Sequence, residues 1–193
     1  MNQIRPVPFI ECYLKKFTSS SHVILDVGCG PALYRYSTSA KYIGLDVTDE
    51  PYNNSCLRDV DIVASASDIP LQDNYVDLIL CKSTFHLIPD KQKTLAEFQR
   101  VLKPGGRILI ADYNRKTLKK LEKQYINTNQ LHAGVIECWT QWKLKRLIEK
   151  AGFIGCELLL PRAIELNKIL KMIAIVYQEY RGTWAIVTGV KKT

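Results

Sequence analysis

The sequence predicts an α/β fold, doubly wound around a mostly parallel sheet, and three observations carry that expectation. Short β-branched and leucine-rich runs recur at His22–Val27 (HVILDV), Tyr42–Val47 (YIGLDV), Val76–Cys81 (VDLILC) and Arg107–Ala111 (RILIA). This is the apolar density of strands covered on both faces. Between the last two runs, Leu95, Phe98 and Leu102 fall at helical spacing. The 193 residues, 47% apolar and 24% charged, suffice for one such domain and leave no room for a second of ordinary size.

The elements follow in order. Pro8–Phe17 is a short helix, so residues 1–21 are expected to form a reduced N-terminal lid. The first strand ends at GCGP (28–31), a sharp turn whose glycines let a ligand approach the backbone. A helix starting there would offer unpaired N–H groups to an anion, although the short connection allows only a brief one. After the second strand, Asp49–Arg58 (DEPYNNSCLR) is too polar and turn-rich for a helix, and Asp61–Ala64 (DIVA) is a weaker third strand. The helix over Pro89–Leu102 is stopped by Lys103-Pro104-Gly105-Gly106. Beyond Asp112 come a basic helix at Arg115–Tyr125, a second helix at Gln141–Ala151 capped by Thr140, and strands at Ile154–Leu160 and Thr183–Val190. An apolar helical segment over 163–180 separates those two strands.

Strands alternating with helical connections imply right-handed crossovers and one edge lined by the strands' carboxyl ends. Asp26, Asp46, Asp68 and Cys81 fall at or just past such ends, where open α/β sheets bind ligands. Other classes lose their support. The dinucleotide fingerprint would need glycine where Leu33 stands, and no Gly-Lys-Ser/Thr follows for a phosphate loop. Six cysteines without a C-x-x-C pair and three scattered histidines predict no metal site and free thiols. The start MNQIRPVPF lacks a signal peptide's apolar core, which predicts a cytoplasmic protein. Of the net charge of +8, residues 1–114 hold −1 (12 Lys/Arg against 13 Asp/Glu) and 115–193 hold +9 (15 against 6). Such a skew fits a solvated basic face, an anionic partner or peripheral contact with a membrane.

Four pieces carry a resemblance: VILDVGCGP at 23–31, YIGLDVT at 42–48, ASDIPLQDNYVDLILC at 66–81 and FQRVLKPGGRILIAD at 98–112. In this order they resemble class I S-adenosylmethionine (SAM)-dependent methyltransferases, in particular the small-molecule branch that includes the quinone-biosynthesis enzymes. The resemblance implies a Rossmann-like methyltransferase fold, a single domain over 1–193 whose mostly parallel seven-stranded sheet has its last strand antiparallel. It also implies SAM as cofactor. Asp26 would then anchor the glycine loop and the ligand's ammonium, and Gly28, Cys29 and Gly30 would leave room for the methionine moiety. Asp46 would accept both ribose hydroxyls, and Val47 would pack on the adenine. Asp68 would accept from the adenine amino group, the Ile69 N–H would meet a ring nitrogen, and the Cys81 carbonyl would face the methionine end.

A base is needed only where the acceptor starts protonated. His86, in KSTFHLIPD past the fourth strand, is the first candidate, followed by Asp112, Tyr113 and His132. Tyr13 and Tyr34 could line an acceptor pocket. The resulting expectation is methyl transfer to an O, N or C atom of a small or medium-sized acceptor. The alternatives are an RNA- or ribosome-associated methyltransferase, disfavoured because CKSTFH stands where N-P-P-[YF] would be, and a non-catalytic SAM-binding partner subunit. The oligomeric state is not legible.

Overall fold

A computed structural model describes residues 6–50, 59–114, 117, 140–159 and 184–193. Helix α1 (Pro8–Phe17) precedes strands β1 (Val23–Val27), β2 (Lys41–Asp46), β3 (Ile62–Val63) and β4 (Val76–Lys82). A 3-10 turn (Phe85–Leu87), α2 (Lys91–Val101), β5 (Leu102–Tyr113), α3 (Gln141–Lys150), β6 (Phe153–Leu158) and β7 (Trp184–Lys191) follow. They build one seven-stranded sheet in the order β3-β2-β1-β4-β5-β7-β6. Strands β1 to β5 pair in parallel, and β7 runs antiparallel to both β5 and β6, as the sequence led us to expect.

Alternation along the strands divides the core. Leu25, Val27, Ile79, Cys81, Ile108 and Ile110 face one side, where α2 brings Leu95 and Phe98 and α3 brings Leu144 and Ile148. Ile24, Leu78, Leu80 and Leu109 face the other, against Ile10, Tyr13 and Leu14 of α1. Helix α1 is thus a packed element. Tyr34 accepts a bond from the Val7 N–H at 3.2 Å, Ser37 donates to Glu11 at 2.8 Å, and Thr18 meets Thr38 at 3.0 Å. Tyr13 and Tyr34 are buried, the former bonded to Thr188.

One turn differs from expectation. Lys103-Pro104-Gly105-Gly106 does not separate helix from strand: Leu102 is already extended and pairs with Val76, and the four residues bulge out before Arg107 meets Leu78. Gly106 is required because a Cβ would lie 2.8 Å from the Lys103 carbonyl. Lys103 closes the bulge onto both oxygens of Asp77 (2.9 and 2.8 Å), which also accepts the Val23 N–H at 2.8 Å. The expected helix at 115–125 and the segment 163–180 lie outside the described residues, apart from Thr117. No helix among the described residues is long and apolar enough to cross a membrane.

Phe98 is fully buried, and Thr140 accepts the Lys143 N–H at 3.1 Å as the α3 cap. Phe98→Ala should cost about 3–5 kcal/mol of unfolding free energy and Thr140→Ala about 1 kcal/mol. Trp142, 52% exposed, should tolerate alanine within about 0.5 kcal/mol. Urea denaturation of the three variants checks this ranking.

Candidate functional site

The carboxyl ends of β1, β2, β4 and β5 lie side by side: Val27 pairs with both Leu45 and Cys81, and Lys82 pairs with Ala111. The loop leaving β1 is built from its amides. The Gly28 and Cys29 N–H groups both donate to the Leu45 carbonyl, at 2.7 and 3.1 Å, and the Gly30 N–H donates to Asp46 Oδ2 at 3.0 Å. The helix start expected here is not formed. Ala32 sits at φ 47, which interrupts any helix after Pro31. Successive turns run instead from Ala32 N–H to Cys29, Arg35 to Ala32 and Ser37 to Tyr34 at 2.9–3.0 Å. The amides of Gly28, Cys29 and Gly30, which a phosphate site at this turn would use, are thus committed to β2.

What the loop presents is carboxylate. Asp46, 8% exposed, also accepts its neighbour Val47's N–H on Oδ1 at 2.8 Å. These two backbone bonds fix the orientation of the carboxylate. Beside it Gly30, at φ 51, has no atom of the described residues within 4 Å of where a Cβ would stand, and Val47 is 69% exposed. Gly28 differs. Its missing Cβ position is filled by Thr84, whose Oγ1 would be 2.2 Å away and donates to the Gly28 carbonyl at 3.3 Å. The room expected at Gly28 is thus taken by the β4 loop, and the open cradle is at Gly30.

Asp26 is buried on β1 and accepts the Tyr42 hydroxyl at 2.5 Å. Burial raises its pKa to about 7, against the bond from Tyr42 and the charge of Lys82. The Cys29 side chain turns inward over Gly44, and burial pushes its thiol up. Cys81 is fully buried between Val27 and Ile110, and its thiol is raised by burial as well. Asp68 is exposed in a turn, its N–H on the Ser65 carbonyl at 3.0 Å. The Ile69 N–H donates to Glu97 at 2.8 Å and its carbonyl accepts from Arg100 at 2.7 Å. That commitment to α2 corrects the expectation that the Ile69 N–H meets a ring nitrogen.

On the other side of the site, His86 is buried. Its Nδ1 lies 2.7 Å from Asp112 Oδ1, and its backbone N–H donates to Asp112 Oδ2 at 2.6 Å. Asp112 is fully buried and also accepts the Tyr113 N–H at 2.8 Å. With three donors on it, Asp112 positions His86 and is withdrawn as a candidate base. Its acceptor role places the ring proton on Nδ1, which leaves Nε2 as an acceptor. Tyr113 meets the His86 ring edge-on at 6.0 Å and stacks on Trp184 at 4.8 Å. His132 lies outside the described residues. Sequence reasoning missed Tyr42, Thr84 and Lys82. Lys82 was legible in principle, since a charge ending VDLILC takes the face of Leu78 and Leu80 by alternation.

Comparison with known proteins agrees with the fold. Residues 25–110 match the family model of a methyltransferase domain. The ubiquinone/menaquinone biosynthesis C-methyltransferase UbiE of Psychromonas ingrahamii is 33% identical over 129 residues, 53% of this chain and 51% of that protein. The UbiE protein of Francisella tularensis subsp. novicida is 38% identical over 74 residues, 38% and 30% of the two chains. The chain thus spans about half or less of these curated relatives. Among solved structures, the methyltransferase of a Haloferax volcanii complex with the Trm112 activator superposes with a TM-score of 0.66 at 20% identity, covering 97% of this chain and 89% of that one. Haemonchus contortus phosphoethanolamine N-methyltransferase 2 gives 0.63 at 17%, covering 95% and 52%. These likenesses are of fold.

The buried Asp26 sets a pH dependence. Its folded pKa of about 7 stands above the roughly 3.9 of an unfolded aspartate. Its contribution is therefore fully present below about pH 4 and is lost as pH rises through about 7, on the order of a few kcal/mol. Thermal or urea unfolding of the ligand-free protein should show that loss, and Asp26→Asn should flatten it.

Proposed function

We propose that the chain carries a class I SAM-dependent methyltransferase domain and transfers a methyl group from SAM to a small-molecule acceptor, by the UbiE likeness a carbon of a quinone precursor; the methyltransferase-domain match over residues 25–110 and that likeness support the reading. One observation carries this reading: the loop after β1 commits the Gly28, Cys29 and Gly30 amides to β2 and sets the Asp46 carboxylate beside Gly30, where no described residue approaches. Such a surface repels a phosphate and suits a ligand that brings hydroxyls and positive charge.

When bound, SAM supplies a methyl group made electrophilic by its sulfonium. The chain's residues then bind and orient. Asp46 accepts the ribose hydroxyls, Val47 covers the adenine, and Asp26 faces the ammonium. Positioning an acceptor in line with the methyl–sulfur bond supplies roughly 7–11 kcal/mol of the barrier. The base is His86, its Nδ1–H held by Asp112 so that Nε2 takes the acceptor's proton. Its low exposure keeps competing water away.

Calorimetry with S-adenosylhomocysteine (SAH) tests the binding half. Asp46→Ala should weaken affinity by about 1.5–3 kcal/mol, and unchanged affinity in a folded variant would remove Asp46 from the site. For the chemistry, a demethylated quinol assayed as acceptor should be methylated. His86→Ala should then lose turnover roughly 100-fold or more with SAH affinity near normal. A loss under about threefold would make His86 a packing residue.

A further inference from the structure

Lys82 is the last residue of β4, on the sheet face that carries Leu78 and Leu80, and it is half-buried. Its Nζ lies 5.5 Å from the centre of the Trp184 ring, which stacks on Tyr113. Its ammonium makes no hydrogen bond or ion pair with the described residues. Other lysines are engaged: Lys41 with Tyr75, Lys103 with Asp77, Lys145 with Glu149, and Lys191 with Asn74 and Leu102. Burial lowers the Lys82 pKa, and this outweighs the opposing charge of Asp26. A partly desolvated ammonium with no acceptor among the described residues is unfavourable, and an anion arriving with a ligand would relieve it.

The position says which anion. Asp26, one strand away on the same face, interacts electrostatically with Lys82 but forms no ion pair with it; its carboxylate accepts the Tyr42 hydroxyl instead. Two opposite charges held apart at one strand edge match an α-amino acid group, ammonium toward the acid and carboxylate toward the amine. Resting on the methyltransferase reading, we infer that Lys82 binds the carboxylate at the methionine end of the donor, opposite Asp26. The aromatic wall of Trp184 and Tyr113 limits the water that would otherwise weaken the contact.

Calorimetry with two probes separates this from other roles. SAH carries the amino acid group and 5′-methylthioadenosine lacks it, while both share the nucleoside. Lys82→Met keeps the stem and removes the charge. It should weaken SAH about tenfold or more and leave methylthioadenosine within about twofold, with Lys82→Arg retaining most of the SAH affinity. Equal losses for both probes would make Lys82 a structural residue and overturn the inference. Unchanged SAH affinity with a raised KM for the acceptor would move its anion to the acceptor, and would also overturn it. Lys82→Gln supplies the same comparison should the methionine variant not fold. If the wild type bound neither probe, the methyltransferase reading itself would fall, an outcome distinct from a wild type that binds both and a variant that loses neither.

Discussion

The hydrogen bonds from Gly28, Cys29 and Gly30 to the end of β2 govern this site. One carbonyl and one carboxylate take up all three amides of a loop that, in a phosphate-binding protein, would keep them for the ligand. The polarity of the strand edge is thereby inverted. Where an anion hole would stand there are two acids, Asp26 and Asp46, held by Tyr42 and by the loop itself. The same bonds tie β1 to β2 where their ladder ends.

The two faces of the sheet divide the work. Helices α2 and α3 close one face with an apolar core, and Arg100 and Glu97 of α2 reach over to fix the segment at Ile69. The opposite face carries α1 and, at its edge, the charged and aromatic groups Asp26, Tyr42, Lys82 and Trp184. Chemistry is confined to places where a strand has ended and alternation has just put a polar side chain among apolar ones.

Much of this was legible in the sequence because its cause is local. Strands buried on both faces write themselves as VILDV and VDLILC, and the Thr140 cap precedes its helix directly. Asp26 and Asp46 could be read because an acid ending an apolar strand has few places to go. Hidden from sequence were the facts that depend on distant partners. That Thr84 would fill the space at Gly28, that Glu97 would capture the Ile69 N–H, and that Asp112 would hold His86 from 26 residues away are consequences of register between strands. The bulge at Lys103–Gly106 was misread for a related reason. Pro-Gly-Gly looks like a chain break, but Lys103 and Asp77 fold it back into the strand.

The contact between Gly28 and Thr84 has a consequence for how this sequence can change. The two positions share one volume: a side chain at 28 needs space that Thr84 occupies, with Cβ to Cβ only 2.6 Å apart. Enlarging position 28 first is blocked, whereas reducing position 84 first costs a small packing contact and one hydroxyl's bonds to the Gly28 and Lys82 carbonyls. Even then φ 71 admits few residue types besides asparagine and aspartate. Substitutions at this neck are thus ordered in time. A chain with a larger residue after its first strand must first have surrendered the threonine after its fourth, and with it the link between the loops that follow β1 and β4.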